Sequence, residues 1–458
     1  MGLKHIFSSR INILALLSFF AITGIPFFKS AMELEDAEQA YYSQWLRWGY
    51  DDQPPLYTWL QFGVNRIFGV SKFSFSLLRG LIFSSILIAL HRLAKHTLSN
   101  SAKAELSVLC FALVPVFMDF TFRRLSHTSL LCLLIVSSFL IIQRLTVKKS
   151  ILNYSVLGLL IGLGMLSKYN YVLFLGALML SVLFDRNLRQ LIVHRYFVVT
   201  MLLAALLVAP HFYWLLGPEG YLEILKESVV LKVESSNPNT IPVVTPLFSY
   251  TMTMIKLIGI LGVGLLVAFL FKKLKFITFK KNWFSKFFWA QLVVLALFFI
   301  VLNIQKVEPR WLLPLFLPFS IVLMRTIDFK SIEKWSRFGF VLFLIVIFGQ
   351  TVRTPIEKVL DIPSSVHFGF EPVSDKLNSN YPEKEWILPN VTYGGNVRIL
   401  NPQKEIFALD DFSLPKFKST TKNSVKLVFK KEDLKNDILI DSLKGFGKEM
   451  EDLYFIVD

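Results

Sequence analysis

Residues 33 to 60 read ELEDAEQAYYSQWLRWGYDDQPPLYTWL, a stretch that gathers six carboxylates, three tryptophans and the Pro54, Pro55 pair. A carboxylate in such a stretch is able to take a proton from an acceptor hydroxyl as a general base. Asp36 and Glu38 stand two residues apart, so on a helix they point to different sides and serve different ends. Asp51, Asp52 and Gln53 precede the two prolines, which force an extended or turn backbone and hold those side chains in place. Glu33 and Glu35 read as solvated acids. Tyr41, Tyr42, Trp45, Trp48, Tyr50, Tyr57 and Trp59 have the character of an interfacial aromatic belt. Tyr41, Trp48 and Gln53 are the candidates there for touching a substrate.

A second chemical pattern lies in the short turns between apolar segments. Arg123 and Arg124 occur in DFTFRR, Lys168 and Tyr169 in LSKYNY, and Lys306 and Arg310 in NIQKVEPRW. One cation at the lip of a helix serves as an interfacial anchor. Several that converge at a membrane surface are able to hold a phosphate. Acid near a reacting carbon and cations near a departing phosphate form the charge layout of a group transfer. His211, in APHFYWL at the end of an apolar run, is a further candidate substrate contact. His91, His96, His127 and His194 show no metal-ligand spacing, although the loop carboxylates are of a type that holds a divalent cation.

The elements that must position these groups are apolar. Hydrophobic residues make up 54% of the 458 and charged residues 18%, against about a quarter charged in a soluble domain. Runs near the length of about 20 residues that crosses a bilayer recur along most of the chain. They fall at 11 to 29, 77 to 95, 104 to 118, 125 to 143, 151 to 166, 169 to 184, 196 to 216, 247 to 271, 287 to 303, 311 to 327 and 338 to 352. The first reads as a retained helix, because no small-x-small cleavage site follows it. With the N-terminus inside, inner segments hold 21 Lys and Arg and outer ones 11. Positive-inside asymmetry explains the net charge of +16 as topology anchoring, without a nucleic-acid partner.

That arrangement puts two long loops, 30 to 76 and 217 to 246, and the C-terminus on the outer face. From about Arg353 the chain turns polar, and EWILP, VRIL, VKLVF and DLYFIV alternate as strands do. YGGN at 393 to 396 reads as a turn. The chain therefore divides into a membrane domain at 1–355 and a soluble domain at 356–458. GLLIGLGML, at 158 to 166, has the GxxxG spacing of close helix packing. Cys110 and Cys132 lie inside apolar runs and act as small hydrophobes.

DAEQAYYSQWLRWGYDDQPPLYTWL resembles the first periplasmic loop of bacterial glycosyltransferase family 39 and related GT-C enzymes, which include protein mannosyltransferases and lipid A aminoarabinose transferases. GLGMLSKYNYVLF, APHFYWL and PRWLLPLFLP are supporting matches. The resemblance spans residues 10 to 355. It implies a polytopic all-α membrane protein of GT-C type, with about eleven transmembrane helices and a small α/β extracytoplasmic C-terminal domain. It further implies a sugar carried on a polyprenyl phosphate and moved to a glycolipid or glycan acceptor on the periplasmic face of the bacterial inner membrane. By motif position Asp36 is the loop-one acid, Glu38 its neighbour and Asp52 the acid before the prolines. Lys168 and Arg310 are donor-phosphate contacts, joined by Arg123, Arg124 and Lys306. Gln53 stands where aminoarabinose transferases usually have lysine, which removes one candidate phosphate ligand. A transporter of lipid-linked sugars is the competing reading. Its usual marks are paired repeats and mid-membrane charges, whereas here no repeat appears and the mid-spans are nearly free of charge.

Overall fold

The computed structural model describes residues 9–458 apart from 52, 99, 125, 218–220, 224–225, 227–240, 278–281, 363, 415–422, 430–438, 444–452 and 458. Asp52 and most of the second outer loop therefore lie outside the described residues.

The helices in chain order are α1 (Arg10–Gly24), α2 (Leu34–Tyr42), α3 (Leu56–Phe68), α4 (Lys72–Thr97), α5 (Ser101–Ala112), α6 (Ser126–Val147), α7 (Ile151–Ser167), α8 (Tyr171–Phe184), α9 (Arg186–Ile192) and α10 (Phe197–Leu216). They continue with α11 (Val244–Leu270), α12 (Trp283–Val301), α13 (Pro309–Thr326), α14 (Ile332–Val359), α15 (Glu371–Asn380) and α16 (Val391–Leu400). Their starts follow local chemistry: the side chains of Asn100, Ser150, Asp185, Asn282 and Asn390 accept backbone N–H groups that the first turns leave unpaired. Among the described residues seven helices are long and apolar enough to cross a membrane, or eight if α8 and α9, bent by 115° at Asp185, form one span. The chain is thus a polytopic helical membrane protein. Of the eleven apolar runs, the one at 104 to 118 forms only the 12-residue α5 before a π-helical turn at Phe117–Thr121, and the one at 151 to 166 forms the 17-residue α7.

The chain folds as two compact units. One comprises residues up to 18, 82–213 and 226–347; the other comprises 19–81, 214–225 and 348–458. The C-terminal segment therefore shares a unit with the first loop. In the first unit Gly158 and Gly162 accept the close approach of α10: a Cβ at Gly158 would stand 2.7 Å from the Thr200 carbonyl, and one at Gly162 2.7 Å from Leu207. Small residues at this spacing let helices pack without a hydrophobic driving force between them. A two-stranded antiparallel ribbon, β1 (Leu274–Phe276) with β2 (Ile327–Phe329), also belongs to this unit.

The second unit holds a five-stranded sheet of β3 (Glu385–Leu388), β4 (Ile406–Ala408), β5 (Ser424–Val428), β6 (Leu439–Leu443) and β7 (Leu453–Val457), in the order β4-β3-β5-β7-β6. β3 runs parallel to both β4 and β5, and β7 is antiparallel to β5 and β6. Trp386, Leu388, Ile406, Val425, Leu427 and Phe455 fill its core with Val373 and Leu377 of α15. EWIL, VKLV and LYFIV are strands as their alternation suggests, but VRIL and YGGN both belong to α16. The glycines there serve packing between helices and not a turn. Gly395 lies directly against the Ala37 carbonyl of α2, and a Cβ at Gly394 would come within 2.9 Å of Tyr41.

Candidate active site

In the second unit, α2 puts Asp36 and Glu38 on different sides, as their spacing requires. Asp36 is 2% exposed and forms an ion pair with Arg79 of α4, itself 3% exposed, whereas Glu38 is half-buried. The guanidinium engages Asp36 through Oδ1. Oδ2 is also buried and has no hydrogen-bond partner among the described residues. Removing one partner of a buried pair leaves an uncompensated charge, so the arrangement holds the carboxylate in one orientation. A second buried pair, Lys29 Nζ to Glu33 Oε1 at 3.2 Å, flanks it. Lys72 Nζ donates to the carbonyls of Lys29 and Ser30 at 2.6 and 2.7 Å. Glu33, expected as a solvated acid, is in fact buried, because a lysine one helical turn away pairs with it.

The WGYDDQPP segment is locked from several directions. Tyr50 and Gln53 exchange backbone hydrogen bonds at 3.1 and 2.7 Å. Asp51, inside that turn, has a φ of 44°, a left-handed conformation that Asp tolerates better than most residues. Gly49 is needed because the Trp214 ring lies where its Cβ would be. The Arg47 guanidinium sits 5.1 Å from the Trp45 and Tyr50 ring centres and pairs with Asp411 at 2.8 Å. Trp48 is 52% exposed and meets Trp59 edge to face. Tyr41, a candidate substrate contact, is fully buried. It donates to Asp411 at 3.2 Å and accepts from the Ala408 N–H at 3.2 Å, so its observed role is to tie α2 to the sheet. Burial, with Asp411 beside it, raises its phenol well above the ordinary range. Gln44 completes the edge of β4 by donating to the Ile406 carbonyl and accepting its N–H.

The cations and the later aromatic candidates belong to the first unit. Lys168 caps the C-terminus of α7, where a cation suits the helix dipole, and its Nζ donates to Thr128 Oγ1 at 2.8 Å. His127 Nδ1 stands 3.2 Å from the Ser167 carbonyl. Tyr169 and His211 meet with hydroxyl and Nε2 3.2 Å apart and rings stacked. Arg123 is buried, Arg124 half-buried, and Arg310 exposed at the first turn of α13. Lys306 is exposed and pairs with Glu308 at 3.2 Å, so part of its charge is already answered. The carboxylates and the cations named from sequence thus fall in different units. Among the described residues no group of three or more His, Cys, Asp or Glu is disposed to hold a metal ion.

Sequence reasoning missed Arg79, Arg47 and Asp411. Arg79 had a signal, since it is a charge inside an apolar run, which in membrane proteins marks a partner or a function. Asp411 had none, because its partners Arg47 and Tyr41 are more than 360 positions away.

Comparison with known proteins adds a relationship to this geometry. The family profile described as Dolichyl-phosphate-mannose-protein mannosyltransferase matches residues 52–214. Lipopolysaccharide core galacturonosyltransferase RgtB of Rhizobium johnstonii (strain DSM 114642 / LMG 32736 / 3841) is 31% identical over 185 residues, which is 40% of this chain and 37% of that protein. RgtA of the same organism, described in the same words, is 23% identical over 381 residues, 82% of this chain and 72% of that one. The chain thus spans little more than a third of RgtB. In fold it is similar to the crystal structure of ArnT from Cupriavidus metallidurans bound to undecaprenyl phosphate, with a TM-score of 0.64, 11% identity and 97% of each chain covered. The apo form of the same protein gives 0.65, with 97% and 96% covered and the same identity.

Proposed function

We propose, from the similarity to a mannosyltransferase family profile and to lipopolysaccharide core galacturonosyltransferases, with a fold like that of ArnT, that the chain is a membrane glycosyltransferase. It takes a sugar from a polyprenyl-phosphate donor and passes it to a lipid-linked or cell-surface glycan at the outer face of the bacterial inner membrane. The observation that carries this reading is the buried Asp36, oriented by Arg79 through one oxygen and with the other unpartnered among the described residues.

In this reading Asp36 removes the acceptor hydroxyl proton as the new glycosidic bond forms. Glu38 and Asp52 are neighbouring acids that orient the acceptor. The bond from the sugar carbon to the donor phosphate oxygen breaks, and the electron pair leaves with the phosphate. Lys168, Arg310, Arg123, Arg124 and Lys306 are the cations that answer its growing charge. Trp48, Gln53 and the Tyr169, His211 pair are the side chains assigned to the sugar and its carrier. The similarity to proteins named as lipopolysaccharide core galacturonosyltransferases favours a uronic acid donor and a lipopolysaccharide core acceptor. The C-terminal segment, 356–458, faces the same side as the first loop.

The test is Asp36→Asn in purified full-length protein supplied with donor and acceptor. Transfer should fall by about 10²- to 10⁴-fold, the usual scale for a lost general base, while donor binding stays near normal. Substantial remaining turnover removes Asp36 from the mechanism.

A further inference from the structure

A cavity of about 250 Å³ lies between α5, α11 and α14 in the first unit, and its lining is almost wholly apolar. It extends along α11 from Leu257 to Ala268, about 16 Å at the helical rise of 1.5 Å per residue. Gly264 opens onto it: a Cβ there would meet nothing within 4 Å. An apolar slot of this length fits an extended hydrocarbon chain.

One end of the slot is lined by Phe329 and Trp335, whose rings lie 5.6 Å apart. There the β1, β2 ribbon assembles charge. Lys272, in a left-handed conformation, and the bond from Lys330 N–H to the Lys273 carbonyl at 2.9 Å bring two lysine-bearing turns together. Lys272, Lys273, Lys275, Lys330 and Lys334 are all exposed. Among the described residues the acids at this end are Asp328, already shared between Lys103 at 3.5 Å and Lys275 at 3.7 Å, the exposed Glu333, and Glu105, which pairs with Arg10 at 3.0 Å. The mouth therefore carries net positive charge, with a tryptophan beside it of the kind that sits at headgroup level.

We propose that this slot is a binding site for an anionic diacyl phospholipid, with one acyl chain along α11 and the headgroup phosphate on the lysines of the ribbon. It is separate from the phosphate contacts assigned above. Arg310 opens α13 and the ribbon strand β2 follows its last residue, so 18 residues of helix, about 27 Å, lie between them. The site does not depend on the proposed sugar transfer.

Native mass spectrometry of the full chain in detergent tests it, with phosphatidylglycerol and phosphatidylcholine of identical acyl chains. Phosphatidylglycerol should be retained in preference. Each basic residue near a membrane surface contributes about fivefold to the attraction of anionic lipid, so Lys273→Gln with Lys330→Gln should weaken its binding by about thirtyfold. Gly264→Leu, which fills the slot, should reduce retention with the lysines intact. Equal binding of the two lipids overturns the proposal, as does a preference that survives the double substitution. Displacement of phosphatidylglycerol by undecaprenyl phosphate at equal concentration also overturns it, because the slot would then belong to a polyprenyl carrier. The lysines are exposed, so the double variant decides the matter even if Gly264→Leu does not fold.

Discussion

At the scale of single residues, the charged groups of this chain divide by what answers them. Asp36, Glu33 and Arg47 are buried beside opposite charges, whereas Arg310 is exposed at a helix start. If Arg310 holds the donor phosphate, Arg310→Ala should weaken donor affinity by about tenfold or more, the scale of a charge-assisted hydrogen bond, and leave acceptor affinity unchanged. Equal loss for both substrates would contradict the assignment. Asp410 gives a pH prediction. Burial pushes its carboxyl up to about 6 from an ordinary 3.8, with the Val391 N–H opposing and Asp411 adding to the rise. A carboxyl with a raised value binds its proton more tightly when folded, so it contributes stability below about 3.8 that is lost as pH rises through about 6. Asp410→Asn keeps an acceptor for Val391. The variant's melting temperature in detergent should therefore lack the decline that wild type shows between those values, and parallel curves would refute the assignment.

At the scale of elements, the contact of α2 with α16 joins the catalytic candidates to the C-terminal sheet. Arg398 reaches the Ala40 carbonyl and Ser43, and Asn396 Oδ1 accepts the Met32 N–H at 2.7 Å. Two adjacent glycines allow this approach by different margins. A Cβ at Gly395 would overlap the Ala37 backbone, whereas one at Gly394 would stand 2.9 Å from the side chain of Tyr41. Gly395→Ala should therefore cost about 1 to 3 kcal/mol, the range for overpacking, and Gly394→Ala clearly less. Thermal melts of the two variants in detergent check the order, and equal costs would show that the contact is looser than described. In the sequence the glycine pair reads as a turn, because loops and close helix contacts both call for residues without a Cβ. Only the presence of α2 against α16 distinguishes the two cases.

At the scale of the whole molecule, the eleven crossings expected from the apolar runs, if made with the N-terminus inside, would put the C-terminus outside, against seven or eight membrane-length helices among the described residues. A periplasm-active reporter fused after Asp458 should therefore be on, and a silent fusion would mean an even number of crossings. What the sequence by itself determined is the class of protein and its resemblance to known glycosyltransferases. The apolar runs, the GxxxG packing in α7 and the DAEQ to QPPL motif depend on composition and short spacing, which are legible along a chain. Strands such as EWIL and LYFIV were legible for the same reason, as alternation is a local pattern. The tertiary structure decided which polar groups are held and by what. Arg79 fastens Asp36 from 43 positions away, and Asp411 gathers Arg47 and Tyr41 from across most of the chain. Such pairs join residues of ordinary type at separations that leave no periodic trace. Burial then makes them matter, because a charge taken out of water must find its partner.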